Sequence, residues 1–388
     1  MSTVFIHDHS FLIDQNQKVF TSGTLDAAVW SRFTNNFGIL TVIGRGIKLE
    51  NECHDYKSAC ADNVTFDLFY QIRGGLDYLK YKKQIIQKLT SYILNTEYIV
   101  LRLPSIFGYI AAKLCKKNNK KYLVEVVGCA FDSLWYYGNI SGKLLSLISY
   151  YNNKKAINNA NAAIYVTENF LQKRYPNPNC QTYASNVEIE NFDNQVLENH
   201  LKFLQRNNNQ LKIIGMIGNV ALPYKGFCVL FSALRNVEMN YQLHIVGGGD
   251  TTWITKLINK YGLKSKIILR GRISEKNEIY NFLDSLDIYI QPSLTEGLPR
   301  SVIEAMSRAC PIIASNTGGI PELILSDAIY QKKNAKKLSS LITNILCDID
   351  KLQNLSKENF ERSKKYASEA INQRRYQFLK EITNKICN

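Results

Sequence analysis

The segment 286–316, "LDIYIQPSLTEGLPRSVIEAMSRACPIIASN", decides the fold. Its two short apolar runs, 286–293 and 311–316, are typical of buried strands. The stretch between them has a helical pattern, with apolar positions at Val302, Ile303, Ala305 and Met306. Gly297 lets the chain bend after the first strand, and Pro299 starts the helix. Strand, helix and strand in this order predict a βαβ unit with parallel strands.

The same alternation of strand and helix patterns extends through the second half of the chain. Further apolar runs predict strands at 211–218, 241–249 and 265–271. A helical stripe follows the first of them, at Phe227, Leu230, Phe231 and Leu234. Five alternations of strand and helix predict a doubly wound parallel sheet, in which ligands bind just beyond the carboxyl ends of the strands.

The first half has a similar but less regular pattern. It predicts strands at 37–44, 97–104, 120–128 and 160–167, and helices near 106–117 and 140–157. A chain of 388 residues exceeds what one core usually serves. We therefore expect an α/β protein with two doubly wound, Rossmann-like domains that face each other across a cleft. The predicted domains are 1–200 and 205–365, joined by a polar linker at about 188–210, and a C-terminal helix at about 366–388 packs back on the first domain.

Composition narrows the class of protein. The net charge of +15 favours anionic partners, but no finger, RNP or basic-zipper pattern supports nucleic acid. Nine cysteines without a C-x-x-C pair indicate neither a disulfide framework nor a structural zinc site, which fits a reducing compartment. The N-terminus does not have the pattern of a signal peptide, and no apolar run reaches 18 residues. We expect a cytoplasmic protein.

One loop has the features of a phosphate site. Gly218 ends a predicted strand, and Lys225 lies seven positions further on, directly before Gly226 and an amphipathic helix. A helix N-terminus presents free N–H groups to an anion, and a lysine adds positive charge. A solvated lysine before a helix is the simpler alternative. The full P-loop pattern is absent, which argues against an NTPase.

Two glutamates flank the turn of the opening segment. Glu304 shares a polar helix stripe with Ser301 and Arg308, and a solvated Glu304–Arg308 pair would explain that stripe. It would not explain Glu296 in the preceding turn. Both carboxylates can accept hydrogen bonds from sugar and ribose hydroxyls, while backbone N–H groups near 297–300 face an anion. Together with the loop 218–225, they predict a nucleotide-sugar site.

The segment 293–324, "SLTEGLPRSVIEAMSRACPIIASNTGGIPELI", closely resembles the donor-binding segment of the retaining glycosyltransferases of family 4, which have the GT-B fold. "IGNVALPYKG" (217–226) resembles their diphosphate loop, and "LRGRIS" (269–274) their base-binding turn. The resemblance covers nearly all of 211–325. More loosely, "VLRLPSIFGYIAAKLCKK" (100–117) is similar to members that build bacterial surface polysaccharides.

The resemblance implies roles for individual residues. Glu304 would hold the ribose, Glu296 the sugar hydroxyls and Lys225 the departing diphosphate, so Glu296 and Lys225 are the candidate catalytic residues. The other implied donor-binding residues are Gly218, Asn219, Arg272, Ile273, Gly297, Leu298, Pro299 and Arg300. Many members have an arginine where Asn219 stands. We therefore expect a second phosphate cation from Arg272 or Arg300.

On the acceptor side the resemblance is weaker. "TSGTLDAAVWSRF" (21–33) is similar to the first acceptor-side loop of the family, which makes Ser22 and Gly23 candidates. Asp132 lies near the position where some members have a catalytic histidine. The "DID" at 348–350 matches the metal-binding D-x-D of the other glycosyltransferase fold, but it lies in a late helical segment. We expect neither a metal nor another cofactor.

These features predict an enzyme that moves a sugar from a nucleotide-sugar donor to a growing, lipid-linked surface glycan, such as O-antigen, capsule or exopolysaccharide, with retention of configuration. A nucleotide-sugar 2-epimerase and a non-catalytic nucleotide- or sugar-binding protein are the alternatives. The basic stretch 78–89 is either a surface helix that packs on its own domain or a contact with anionic membrane. The second reading would place the protein on the cytoplasmic face of the inner membrane.

Overall fold

The chain folds into two compact α/β units. The computed structural model describes residues 2–23, 25–49, 56–136, 140–190, 192–206 and 211–386. The first unit comprises the chain up to Ala130, Leu147–Ala184 and the chain from Asn372 onward. The second comprises Phe131–Ser146 and Ser185–Ile371.

The first unit is built on a mainly parallel sheet. Its strands are β1 (Ser2–Ile13), β2 (Val19–Thr21), β3 (Ile39–Lys48), β4 (Lys57–Ser58), β5 (Val64–Phe69), β6 (Tyr98–Leu103), β7 (Leu123–Val126), β8 (Ala162–Tyr165) and β9 (Cys180–Tyr183). The parallel strands run in the order β5-β3-β1-β6-β7-β8-β9, and β2 and β4 add antiparallel pairs beside the end of β1. Every residue of β6 is buried, as expected where helices cover both faces of a parallel sheet.

Helices connect these strands. They are α1 (Ala27–Phe37), α2 (Gly75–Lys80), α3 (Lys82–Asn95), α4 (Ile106–Lys117), α5 (Ala130–Trp135), α6 (Ile140–Asn158) and α7 (Phe170–Arg174). The basic stretch 78–89 is not one helix, because α2 ends at Lys80 and α3 begins at Lys82. Leu89 is fully buried, whereas Leu79 is 72% exposed. The apolar side of α3 therefore packs on its own unit.

The second unit contains a six-stranded, wholly parallel sheet. Its strands are β10 (Lys212–Ile217), β11 (Tyr241–Val246), β12 (Ile267–Gly271), β13 (Ile288–Gln291), β14 (Ile312–Ser315) and β15 (Ile329–Tyr330). They are ordered β12-β11-β10-β13-β14-β15, so the direction in which strands are added reverses between β10 and β13. Such a reversal opens a crevice at the carboxyl ends of the two central strands.

The helices of the second unit begin earlier in the chain than the predicted domain boundary. They are α8 (Asn194–Leu204), α9 (Phe227–Leu234), α10 (Thr252–Tyr261), α11 (Lys276–Asp284), α12 (Arg300–Ser307), α13 (Ile320–Leu323), α14 (Ala335–Leu346), α15 (Ile349–Ser363) and α16 (Ser368–Ile386). The predicted linker 188–210 is wrong for its central part, because α8 lies there and buries His200 and Leu204. The unit boundary falls after Ala184 rather than at 200–205. Residues 207–210 of that stretch lie outside the described residues.

The final helix starts in one unit and ends in the other. α16 begins at Ser368, and from Asn372 onward it is grouped with the first unit. There the Arg374 guanidinium lies 4.1 Å from the centre of the Tyr183 ring. Leu379 is fully buried.

A glycine brings the loop after β10 close to the end of β13. Gly226 has a φ of 85°, and a Cβ at this position would lie 2.0 Å from the carbonyl oxygen of Pro292. A second contact joins the same two segments, because the Leu294 amide donates to the Tyr224 carbonyl oxygen at 2.7 Å. Only a residue without a side chain permits this approach.

We expect Gly226→Ala to lower the free energy of unfolding by about 3 kcal/mol or more, because left-handed strain and a backbone clash add together. Gly262→Ala is the matched control, since Gly262 has a φ of 68° but nothing within 4 Å of an added Cβ. Strain alone predicts a cost of about 1 kcal/mol there. Thermal unfolding of both variants tests this, and equal midpoints would contradict the close approach.

Candidate functional site

Two loops meet where the strand order of the second sheet reverses. Lys225 ends a 3₁₀ turn, Pro223–Lys225, in the connection after β10. Glu296 lies in the turn that follows the neighbouring strand β13. Lys225 Nζ donates to Glu296 Oε1 at 2.8 Å. The two candidate catalytic residues, 71 positions apart in sequence, therefore form one ion pair.

The carboxylate of Glu296 is held by three donors. Its Oε1 accepts hydrogen bonds from Lys225 Nζ at 2.8 Å, Ser293 Oγ at 2.7 Å and Gln291 Nε2 at 3.0 Å. Gln291 is itself fixed, because its Oε1 accepts from the Tyr289 hydroxyl at 2.7 Å and from Ser301 Oγ at 3.2 Å. Among the described residues nothing donates to Glu296 Oε2. That oxygen is free to accept a hydrogen bond from a ligand.

The charge state of Lys225 follows from this pairing. The side chains of Lys225 and Glu296 are 20% and 10% exposed. Burial lowers the pKa of Lys225, but the charge of Glu296 and its hydrogen bond raise the pKa by more, so the net shift is upward. Lys225 is therefore a cation at neutral pH. Its ammonium group has two further N–H donors for a ligand.

The turn after β14 supports the Glu296 turn. Gly318 has a φ of 59°, and a Cβ there would lie 2.2 Å from the Glu296 carbonyl oxygen. The Gly319 amide donates to the Gly297 carbonyl oxygen at 2.7 Å. Thr317 Oγ1 donates to the Ser293 carbonyl oxygen at 3.1 Å. The "TGG" sequence thus fixes the backbone that carries Glu296.

Glu304 lies on α12, which begins directly after Pro299. It is half-buried, on the opposite side from the apolar residues that α12 packs into the core. Burial raises the pKa of Tyr280, and the negative charge of Glu304 adds to that rise, so the carboxylate lies near this ring. Arg308 donates Nε to Asp284 Oδ1 at 2.7 Å and a terminal nitrogen to Asp284 Oδ2 at 2.5 Å. The guanidinium of Arg308 is therefore bound to α11.

Glycines also bring the loops after β10 and β11 together. A Cβ on Gly247 would lie 1.9 Å from the Gly218 carbonyl oxygen, and one on Gly249 would lie 2.5 Å from Asn219 Oδ1. Asn219 Oδ1 accepts a hydrogen bond from the Ala221 amide at 2.8 Å. Gly247 and Gly249 are thus required for packing against the predicted phosphate loop, and the side chain of Asn219 accepts a hydrogen bond within that loop.

Two arginines flank this loop system. Arg272 is exposed, and its Cβ lies 3.5 Å from the position of a Cβ on Gly248, next to the 218–220 loop. Arg300 is exposed in the first turn of α12. Ile273 and Leu298 are partly buried against the core of the unit. Both candidates for the second phosphate cation are therefore accessible, and Arg272 is the one that lies beside the phosphate loop.

The acceptor-side candidates separate between the two units. Ser22 and Gly23 lie in the first unit, where the Gly23 amide donates to Thr21 Oγ1 at 2.9 Å and this hydroxyl is 2.8 Å from His9 Nε2. Asp132 is 8% exposed, lies in α5 and is grouped with the second unit. Asp132 and the pair Ser22 and Gly23 are therefore described in separate units.

Sequence reasoning missed a polar cluster in the first unit, formed by His7, Asp8 and His9 of β1. Asp8 Oδ2 accepts hydrogen bonds from the Ile106 amide at 2.8 Å and from the Tyr78 hydroxyl at 3.3 Å. The cluster lies where β1 stops pairing with β6, at the reversal of strand order in that sheet. Burial lowers the pKa of His9 to about 4, and nearby arginines contribute, so its ring is neutral at pH 7. The triplet "HDH" after an apolar run was the available signal.

The "DID" sequence at 348–350 begins a helix. Asp348 Oδ1 accepts from the Lys351 amide at 3.1 Å and so caps α15, and Asp350 lies in the first turn. Within the described part of the chain, no group of three or more His, Cys, Asp or Glu side chains is arranged to hold a metal ion.

Each unit contains a Rossmann-type sheet, mainly parallel in the first and wholly parallel in the second, which is the architecture of the GT-B fold. The second sheet joins a lysine and a glutamate at its strand reversal. The solved structure of Anabaena HepE in complex with UDP has the same fold, with a TM-score of 0.67, 14% sequence identity and coverage of 99% of this chain and 100% of HepE.

Sequence comparison identifies the family. Residues 198–362 match the model of the family described as Glycosyl transferases group 1. Protein CapJ of Staphylococcus aureus is 34% identical over 88% of this chain and 85% of its own length. The N,N'-diacetylbacillosaminyl-diphospho-undecaprenol alpha-1,3-N-acetylgalactosaminyltransferase of Campylobacter jejuni is 26% identical over 69% of this chain and 72% of its own. The chain belongs to the glycosyl transferases group 1 family.

We expect Lys225 and Glu296 to be coupled energetically in the free protein. A double-mutant cycle with Lys225→Ala and Glu296→Ala should give a coupling of about 1–3 kcal/mol in the free energy of unfolding, because each change leaves a partly buried charge without its partner. Lys276 and Glu190 form the control pair, 2.6 Å apart but with side chains 48% and 70% exposed. Their coupling should stay below about 0.5 kcal/mol. A Lys225–Glu296 coupling as small as the value expected for the control pair would show that this contact does not stabilise the fold.

Proposed function

We propose that this chain is a retaining, metal-independent glycosyltransferase that moves a sugar from a nucleotide-sugar donor to a growing, lipid-linked surface glycan. The Lys225–Glu296 pair at the strand reversal carries the proposal, because it puts a cation and a hydrogen-bond acceptor at one position. The relatives support the substrates. The Campylobacter transferase is named for a diphospho-undecaprenol acceptor, and HepE was solved with UDP.

Lys225 stabilises the departing diphosphate in this proposal. Its raised pKa keeps it protonated, and the two N–H donors that Glu296 does not use are available to phosphate oxygens. Arg272, beside the phosphate loop, and Arg300, at the start of α12, are exposed and add positive charge. These groups stabilise negative charge as it develops on the leaving group, so no metal ion is needed.

The two glutamates hold the sugar end and the nucleoside end of the donor. Glu296 accepts a hydroxyl of the transferred sugar at Oε2, since its Oε1 is occupied by three protein donors. Glu304, one helix turn inside α12, accepts ribose hydroxyls. The leaving phosphate takes the proton of the acceptor hydroxyl as the new glycosidic bond forms on the face that the diphosphate leaves. Catalysis thus rests on positioning and on charge stabilisation.

The lipid-linked acceptor and a cytoplasmic location with peripheral membrane contact belong to the same proposal. A basic surface near 78–89 would contribute to that contact through the lysines of α3 rather than through its apolar side, which is buried. Ser22, Gly23 and the neighbouring His9 are the acceptor-side candidates in the first unit.

We expect Lys225→Ala to weaken the binding of nucleoside diphosphates by about tenfold or more, because a charge-assisted hydrogen bond to phosphate is lost. Isothermal calorimetry with UDP, GDP and ADP in turn, in the presence of EDTA, measures this. Lys256→Ala is the control, since this exposed lysine lies on α10. Equal affinities of a folded Lys225→Ala variant and the parent would exclude Lys225 from the phosphate site. Binding that requires added manganese would contradict metal independence.

Substitution of the two glutamates should change different kinetic constants. The ribose contact exists before and during the reaction, so Glu304→Gln should mainly raise KM for the donor. The sugar contact strengthens as positive charge develops on the ring, so Glu296→Gln should mainly lower kcat. Steady-state kinetics with varied donor and saturating acceptor separate these effects.

Other outcomes of that assay would change the conclusion. Parental kinetics for both variants would place the site elsewhere, and interchanged effects would leave the site but reverse the two roles. Conversion of the nucleotide sugar to its 2-epimer without acceptor would favour the isomerase. Donor binding with neither transfer nor epimerisation would favour a non-catalytic binding protein.

A further inference from the structure

Helix α6 is apolar on its exposed side. Ile140, Leu144, Leu147, Ile148 and Tyr151 are 80%, 68%, 51%, 58% and 66% exposed. Their spacing of i, i+4, i+7, i+8 and i+11 puts them on one stripe of the helix. A stripe of this kind normally faces a core, and large exposed apolar surfaces mark interaction sites.

The opposite side of α6 explains this orientation. It carries small or polar residues at the same spacing, namely Gly142, Ser146, Ser149 and Asn153, of which Gly142, Ser146 and Asn153 are buried. The Tyr109 hydroxyl of α4 lies 3.3 Å from Ser149 Oγ and donates to Asn153 Oδ1 at 3.4 Å. The inward side of the helix thus combines these small and polar residues with the buried Ala156 and Ile157, and the apolar stripe is left on the surface.

The charges around the stripe indicate what covers it. The segment 133–167 contains no Asp, Glu or Arg, and its three lysines are Lys143, Lys154 and Lys155, all of them exposed. At 100° per residue, the three lysines project within or beside the apolar stripe, so their ammonium groups can extend to either side of it. Lys143 Nζ also lies 5.7 Å from the centre of the Trp135 ring, which is 37% exposed. Apolar side chains with Trp, Tyr and Lys at their border are typical of helices that lie in a membrane interface.

Exposed apolar side chains also occur on two other helices, which belong to the first unit. Leu76 and Leu79 of α2 are 82% and 72% exposed, and Ile106 at the start of α4 is 40% exposed. α2 contacts α4 through Tyr78 and Phe107, whose ring centres are 5.5 Å apart. In the described residues no helix is long and apolar enough to cross a bilayer.

We propose that α6 is a membrane-docking element of this protein, in addition to the basic surface near 78–89, and that its apolar stripe inserts into the headgroup region of a bilayer rich in anionic phospholipids. The stripe enters the boundary of the acyl chains, and Lys143, Lys154 and Lys155 bind lipid phosphates beside it. The stripe contains none of the donor-site candidates, and the inference holds whether or not the chain transfers a sugar.

The test is flotation with vesicles of phosphatidylglycerol and phosphatidylcholine in equal parts, compared with phosphatidylcholine alone. The parent should float with the anionic vesicles. Leu144→Ser together with Ile148→Ser should lower the partition coefficient by about tenfold or more, because two inserted side chains are lost. Leu94→Ser together with Tyr376→Ser is the matched control, since these residues are 47% and 50% exposed on α3 and α16. That control should float like the parent.

A charge variant tests the second half of the inference without touching the apolar side chains. Replacing Lys143, Lys154 and Lys155 with Gln should lower binding to anionic vesicles by roughly fivefold per charge. The same change at the exposed lysines 256, 336 and 337 is the control, and thermal unfolding checks the fold of all variants. A parent that does not float, or variants that float like the parent, would overturn the inference. A parent that dimerises through the stripe and ignores vesicles would assign this face to a second copy of the chain.

Discussion

The ion pair between Lys225 and Glu296 is the contact around which the site in the second unit is organised. It joins the loop after β10 to the turn after β13, at the point where the strand order reverses. In both cases a glycine permits a close backbone contact. Gly226 lets the lysine loop approach the end of β13, and Gly318 lets the turn after β14 approach the glutamate. The ion pair therefore depends on backbone approaches that no other residue would allow.

The pair also balances positive and negative charge within the site. A partly buried lysine without a partner would lose its proton more easily. Glu296 holds Lys225 in its charged form, and Ser293 and Gln291 share the carboxylate oxygen that the lysine uses. An anionic ligand can then bind to a lysine that is already charged and oriented. Preorganisation of this kind lowers the cost of binding and of charge development.

Much of this arrangement could be predicted from the sequence. Each of the nine predicted strand segments contains a strand, and helix 106–117 matches α4, because buried parallel strands are short apolar runs between clear helical patterns. The N-terminal strand β1 was missed, since its second half contains the polar residues "HDHS". α8 was missed because polar segments flank it, although Leu197, Leu201 and Leu204 have the spacing i, i+4, i+7 of a helix.

Side-chain partners were harder to predict than elements. The sequence puts Lys225 and Glu296 at neighbouring strand ends, but the distance between them depends on loop conformations set by glycine contacts that are remote in sequence. In the same way, the sequence allowed a pair between Arg308 and Glu304, four residues earlier. The structure shows Arg308 bound to Asp284 of α11. A helical wheel gives the neighbours within one helix and not those on the next.

For helix α6, the sequence predicts the helix but not which of its sides is exposed. Its period predicts a helix at 140–157, which the structure contains as Ile140–Asn158, but the period cannot tell which side faces the core. The apolar stripe would be the usual choice. Here the side with Gly142, Ser146 and Asn153 faces inward, because small residues permit close packing and the Tyr109 hydroxyl of α4 needs polar partners at that position. With this side facing inward, the apolar side of the helix faces the surface.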